Sequence, residues 1–344
     1  MASRVPEKAS PVDAGDVVST GDADLRRVLL VKAKGGLGNR ILSAVTGCVY
    51  ARLHGRQPCI DWRDGAYVPE GVNLYPLLFD AQHSGDPALY DGADIAAPPV
   101  WSGQLHKQPV DIIRARYPRS HRSPFVYRKL CVDLSAPDSD APVAVFWSYL
   151  PKMQRLAGVL SRDKRFVGRS EDEITKEMLH RYFTPVAEVR EAVDAAFAHI
   201  EGPLIGVHLR FTDRKVPIAK ILHRIDRMRE AQPDAALFLA TDSSEAQEAV
   251  LSRYERVHTL PKTLSQDGAA LHFSQDEFAD PVREARAALA DMVALSRCDW
   301  LIHSRHSTFS VTAALMGDIP VERQFDVDRF NVKVVAKRWF QARA

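Results

Sequence analysis

The stretch Leu204-Ile205-Gly206-Val207-His208-Leu209-Arg210-Phe211-Thr212-Asp213 has no polar side chain before His208. A run of that kind suits a strand buried on both faces of a parallel sheet. His208 and Arg210 lie two apart, so at strand period they share one face, and Asp213 follows just past the strand's carboxyl end. In an open α/β sheet that edge binds ligands, and an arginine there offers a planar fork of donors to a phosphate oxygen. The same residues also suit an Arg210–Asp213 ion pair beside a satisfied core histidine, so the stretch alone leaves both readings open.

On either side the α/β rhythm continues. Upstream, Val28 to Val31 reads as a strand running into Lys34-Gly35-Gly36-Leu37-Gly38-Asn39-Arg40, followed by a helical pattern from Ile41 to His54 and a second strand, Pro58 to Trp62. Strand, glycine loop, helix and strand make a βαβ unit whose glycines let a ligand approach a helix start. Ala144 to Trp147 is another strand. Glu171 to Ile200 is mostly helical with a break at Phe183-Thr184-Pro185, where proline disfavours continuation. Downstream come a helix from Ile218 to Arg229, a strand from Ala236 to Ala240 ending in Thr241-Asp242-Ser243-Ser244, and a helix from Glu245 to Tyr254. A strand at Val257 to Leu260 follows, then a helix from Ala285 to Ser296, a strand at Trp300 to His303 and a helix from Val311 to Met316. Asp242 and Ser243 each suit either a helix cap or a ligand contact. Asp291 interrupts the apolar face of its helix and needs a partner, because burying a lone carboxylate is costly. Ser307, Thr308 and Ser310 open a helix, where hydroxyls and free amides make an anion site.

The bulk of the chain narrows the function classes. Its 344 residues favour two domains over one core. Forty-six basic against 44 acidic side chains leave a net charge of +2, no electrostatic footprint for nucleic acid. Cysteines at 48, 59, 131 and 298 form no close pair, so neither a disulfide scaffold nor a zinc site is indicated, and a reducing, cytoplasmic setting fits. His303 and His306 lack a companion ligand cluster, so no metal is assigned. Residues 1–24 read as a disordered lead-in without signal-peptide pattern, and no run approaches the ~20 apolar residues of a spanning helix. From Arg63 to Pro142 the chain reads as long loops suited to an acceptor face, and Arg116, Arg119, Arg122 and Arg128 suit a solvated face or a grip on an anionic acceptor or membrane surface. Gly36-x-Gly38 followed by Asp61 roughly twenty positions on also outlines a dinucleotide fingerprint, but Ile41 stands where the third glycine belongs.

Taken in order, the glycine loop, the run from Gly55 through Asp61-Trp62-Arg63 to Tyr67, GVHLR with Thr212-Asp213, FLATDSS and LSRCD…HSTFS resemble the fucosyltransferase superfamily. Its branches include the NodZ-like nodulation α1,6-, animal core α1,6-, α1,2- and protein O-fucosyltransferases. The resemblance implies two Rossmann-like domains facing across a cleft, the glycosyltransferase B architecture. Boundaries then fall at 25–195 for the acceptor side, 196–325 for the nucleotide-sugar side and 326–344 for a C-terminal segment. It implies an inverting, metal-independent transfer, most simply of L-fucose, from a GDP-sugar to a hydroxyl of a glycan, peptide or small molecule, with no cofactor. Arg210 would hold the β-phosphate and Asn39 would lie by the reacting bond. Gly36, Gly38, His208, Asp242, Asp291, Ser307, Thr308 and Ser310 would surround the donor, with Asp291 on guanine. Asp213, Asp64 and Glu70 are the candidates for a base or acceptor contact. One departure is Phe211, where the nodulation and core branches carry a second basic residue, which leaves phosphate charge for Arg214, Lys215 or Arg305 to meet. Transfer from another nucleotide sugar, a dinucleotide-dependent oxidoreductase and a non-catalytic nucleotide- or glycan-binding relative are the competing readings.

Overall fold

The computed structural model describes residues 27–120, 123–210, 218–264 and 279–327, with positions 332 and 336. The expected lead-in, most of the C-terminal segment, Arg122, Phe211, Asp213, Arg214 and Lys215 lie outside the described residues.

Two parallel sheets organise the chain. The first contains β1 (Val28–Lys32), β2 (Gln57–Asp61), β3 (Ala96–Ala97) and β4 (Val143–Trp147) in the order β2-β1-β4-β3. The second contains β5 (Leu204–Leu209), β6 (Ala236–Thr241), β7 (Val257–His258), β8 (Trp300–His303) and β9 (Gln324–Asp326) in the order β7-β6-β5-β8-β9. All five residues of β1 and of β4 are buried, as both-faces-covered strands require.

The topology decides where ligands can bind. From β1 the chain steps to β2 on one side, while β4 lies on the other; from β5 it steps to β6 on one side, while β8 lies on the other. Both β1 and β5 are therefore strands at which the winding reverses, and the loops leaving their carboxyl ends border the crevices open to ligands. The described residues at those two points are Lys34 to Gly36 and Arg210.

Eleven helices accompany the sheets: α1 (Leu37–Leu53), α2 (Tyr75–Leu78), α3 (Pro109–Arg116), α4 (Pro124–Arg128), α5 (Met153–Leu160), α6 (Glu171–Tyr182), α7 (Ala187–Phe197), α8 (Ile218–Ala231), α9 (Ser244–Leu251), α10 (Pro281–Ser296) and α11 (Thr308–Met316) among the described residues. Helix α1 is buried from Leu37 to Ala51 because its own sheet covers one side and α6 and α11 cover others. Helix α6 opens on a capping box in which Ser170 and Glu173 satisfy each other's backbone amides. It stops at Phe183, and the expected break before Pro185 separates it from α7. The stretch from Arg63 to Pro142 is more ordered than the expected long loops: α2, α3, α4 and the edge strand β3 punctuate it. Among the described residues no helix is long and apolar enough to cross a membrane.

Candidate active site

The glycine loop works by bringing two helix starts together. A methyl group on Gly38 would lie 2.4 Å from the Phe309 backbone nitrogen and 2.5 Å from the Thr308 carbonyl carbon, so only hydrogen fits where α1 meets α11. Across the same junction Thr308 Oγ1 donates to Asn39 Oδ1 at 2.7 Å. Neither N-cap, Gly36 nor Ser307, supplies a side-chain cap, and Ser307 Oγ is buried without a hydrogen-bond partner. First-turn amides have no acceptor inside their own helix, and each helix start carries about half a positive charge. Pressing two such ends together is unfavourable until an anion lies between them.

The second wall comes from β5 and its neighbours. The His208 ring stacks on Phe309 with centroids 5.1 Å apart, and its neutral form is favoured by burial and by the nearby His303 and Arg210 charges. Arg210 faces the first wall: its charge, with that of Arg40, draws down the Tyr67 phenol, whose pKa burial raises. Tyr67 Oη in turn accepts from the Leu37 amide at 2.9 Å. Ser243 caps α9 by accepting from the Ala246 amide at 3.3 Å, and Asp242 lines the cleft. At the far end Asp291 Oδ2 pairs with Lys262 Nζ, while Oδ1 is buried with no partner. Burial holds the Asp291 carboxyl above its usual range against the pull of Lys262.

Most of these groups line one cleft. Of the residues expected at the donor, it is lined by Gly36, Gly38, Asn39, His208, Arg210, Asp242, Asp291 and Thr308. The others lie elsewhere. Ser310 is fully buried, its Oγ 3.0 Å from His303 Nδ1, and supports the turn before α11 instead of facing the cleft. Ser307 sits behind the helix start without lining the cleft. Asp64 holds Arg40 in a two-pronged pair at 2.8 and 2.7 Å, and Arg40 Nε donates to Gly35 O at 2.7 Å, so this carboxylate braces the glycine loop. Glu70 is exposed beside Gly65. The dinucleotide alternative loses its key acid, because Asp61 is fully buried between Lys32 Nζ at 2.6 Å and Arg63 Nε at 2.9 Å and has no face left for a ribose. Lys262 and Glu284 line the cleft without having stood out in the sequence, and Tyr67 and Phe309, which belong to the resembling motifs, line it without having been assigned a role. Among the described residues no three His, Cys, Asp or Glu side chains gather as metal ligands would.

The two histidines of this region make stability acid-sensitive. Burial lowers His303 to about 4, and His208 shifts the same way. The unfolded chain takes up these protons from about pH 6.5 downward while the folded chain does not. Stability is therefore complete above that pH and falls by up to about 1.4 kcal/mol per pH unit per histidine until the folded value is reached. Denaturant unfolding at pH 7 and pH 4.5 should show this loss, and His303→Gln should flatten the profile. An unchanged slope in that variant would refute the assignment.

A cleft bounded by the carboxyl edges of two parallel sheets, with Arg210 and the starts of α1 and α11 in its lining, is the candidate ligand site of this open α/β fold. The chain belongs to the NodZ family: the family model described as Nodulation protein Z (NodZ) matches residues 154–339, more than half of the 344. Nodulation protein Z of Azorhizobium caulinodans is 25% identical over 332 residues, spanning 88% of this chain and 92% of that one. The crystal structure of fucosyltransferase NodZ from Bradyrhizobium matches with a TM-score of 0.60 at 23% identity, over 85% of this chain and 93% of that chain. A structure of NodZ alpha-1,6-fucosyltransferase soaked with GDP-fucose matches with a TM-score of 0.59 at 23% identity, over 85% and 92%. These likenesses show the α/β fold with parallel sheets.

Proposed function

We propose that the protein is an inverting, metal-independent glycosyltransferase that moves L-fucose from GDP-fucose to an acceptor hydroxyl. Its architecture is that of two Rossmann-like halves, 25–195 on the acceptor side and 196–325 on the donor side. The observation that carries this reading is the convergence of Arg210 and the α1 and α11 starts on one cleft whose far end holds an orphaned carboxylate oxygen. A GDP-sugar fits this polarity from end to end. Guanine presents N–H donors at N1 and N2 to Asp291, and its O6 acceptor suits Lys262. The diphosphate lies at Arg210 and the helix starts, and the sugar extends toward Asn39. The relatives named for GDP-fucose chemistry support the choice of sugar.

In the transfer the acceptor oxygen attacks the anomeric carbon from the face opposite the diphosphate. The bond to the phosphate oxygen breaks, and GDP departs with that electron pair. Arg210 and the helix-end amides are preorganised for the growing phosphate charge and can stabilise it without a metal. The acceptor proton needs a base. Asp64 is committed to Arg40 and Glu70 stands off the cleft, so Asp213, three residues past Arg210, keeps that role in our reading.

Thermal melts with GDP, UDP, ADP and NADH, followed by transfer assays with GDP-fucose, test the proposal, since a ligand that binds only the folded state raises the midpoint. GDP should stabilise most. Asp291→Asn should weaken GDP by about 10- to 100-fold, the worth of charge-assisted hydrogen bonds, while barely changing the weak UDP response. Equal stabilisation by GDP and NADH would sink the assignment, and stabilisation by GDP-fucose without turnover on any acceptor would leave a binding protein.

A further inference from the structure

One wall of the cleft runs down to an ion pair. Helix α10 contributes Pro281, Glu284, Ala288 and Asp291, three or four residues apart and so on one face. Pro281 and Glu284 are half-buried, and Asp291 is buried. There Asp291 Oδ2 pairs with Lys262 Nζ, and the two side chains are only 6% and 9% exposed. The other carboxylate oxygen, Oδ1, is buried with no hydrogen-bond partner among the described residues. The remaining charged or titratable groups of the lining are Glu284, His208, Arg210, Asp242 and Tyr67. Glu284 Oε2 accepts from the Thr263 amide at 3.2 Å, and the charge of Lys262 reaches His208, whose protonation it opposes.

A buried carboxyl group beside an ammonium has two states with different hydrogen-bonding faces. As a carboxylate it only accepts; as a carboxylic acid it donates once and still accepts. Those faces suit different purines. Guanine presents N–H donors at N1 and N2, the match of a carboxylate, with its O6 acceptor alongside. Adenine presents a lone pair at N1 and an amine at position 6, the match of a carboxylic acid. Burial favours the acid form of Asp291, and Lys262 opposes it by charge and by hydrogen bond. The ammonium also faces position 6 of a base seated on Asp291, where it attracts an oxygen and repels an amine.

We propose that Lys262 is the residue that makes the cleft choose guanine over adenine. The inference rests on the donor reading for the presence of a purine nucleotide and adds to it the group that sets the choice. Asp291 supplies the contact to the base, and Lys262 decides which contact that is. When guanine enters, its N–H groups take both carboxylate oxygens, the orphaned Oδ1 included, and the ammonium shifts onto O6 while staying beside the carboxylate. Adenine would set lone pair against lone pair at N1 and N–H against N–H at position 6. Selectivity of this kind comes from leaving the wrong ligand's polar groups unpaired.

Calorimetric titration of the full chain with GDP and ADP, at about pH 6 and about pH 8.5, tests the assignment. Both ligands carry the same diphosphate, so its own titration cancels in the ratio of their affinities. The unaltered chain should favour GDP by a similar ratio at both pH values. Lys262→Met should cut that ratio at the lower pH by about 10- to 100-fold, weakening GDP and strengthening ADP, because a charge-assisted hydrogen bond and a repulsion go together. At the higher pH part of the preference should return, since Asp291 gives up its proton as pH rises through its raised value. Lys262→Arg should keep most of the preference. Asp291→Asn, which leaves the ammonium against the adenine amine, should lose GDP without gaining ADP. Lys262→Gln carries the same expectation as Lys262→Met and replaces it if that variant does not fold. A lysine with only a structural role would weaken both ligands together, so an unchanged ratio, or an ADP affinity that fails to rise at the lower pH, would overturn the proposal and leave the donor reading standing. An unaltered chain without preference for GDP over ADP would remove both.

Discussion

Arg210→Ala should lower kcat/KM for GDP-fucose consumption by about 10²- to 10³-fold, the typical cost of removing one preorganised donor to a developing oxyanion. The side chain leaves the carboxyl end of β5, the strand at which the second sheet reverses its winding, and faces Tyr67 and the glycine loop across the cleft. A charge held there stabilises the departing diphosphate more than the ground-state donor, so the loss should fall mainly on kcat. Arg210→Lys should recover only part of it, since a point charge cannot reproduce a two-pronged contact. The thermal midpoint without ligand should move little, because β5 is buried by its apolar residues and not by this one. Near-normal turnover in a folded Arg210→Ala protein would remove the residue from the mechanism.

Much of this site was legible because strand ends concentrate polarity. In β5 and β6 a largely buried run ends in Arg210 or Asp242, and both residues line the cleft. Asp291 was legible for the opposite reason, as one charge on the apolar face of α10. Elements too short to show a period escaped: β3 spans two residues and β9 three, and each is defined by the strand it pairs with. Helix α1 begins at Leu37 and not Ile41, since its glycine-rich first turn has no helical signature and is held by packing on α11. Lys262, Tyr67 and Arg40 act through partners far off in sequence: Asp291, the Leu37 amide and Asp64. Nothing in the sequence around them announces those partners. Ser310 shows the converse error, a hydroxyl in the right motif that the helix turns inward to His303.

The junction of the two helix starts gives the other large expected effect. Gly38→Ala adds one carbon, yet that carbon would sit 2.4 to 2.6 Å from three backbone atoms of Thr308 and Phe309. No side-chain rotation relieves a clash with backbone, so α1 and α11 must separate. Overpacking of this kind costs about 1–3 kcal/mol. Separation also breaks the Thr308–Asn39 hydrogen bond and spreads the two partial charges that face the cleft. Stability and GDP binding should therefore fall together, with GDP affinity reduced by about 100-fold or more if both helix ends touch the diphosphate. Gly36→Ala is the matched control. A methyl there meets nothing nearer than Tyr67 Oη at 3.7 Å, so the fold and most of the affinity should survive. If Gly38→Ala unfolds more easily yet binds GDP as before once folded, the helix junction is architecture alone and the diphosphate is held by the second sheet without it.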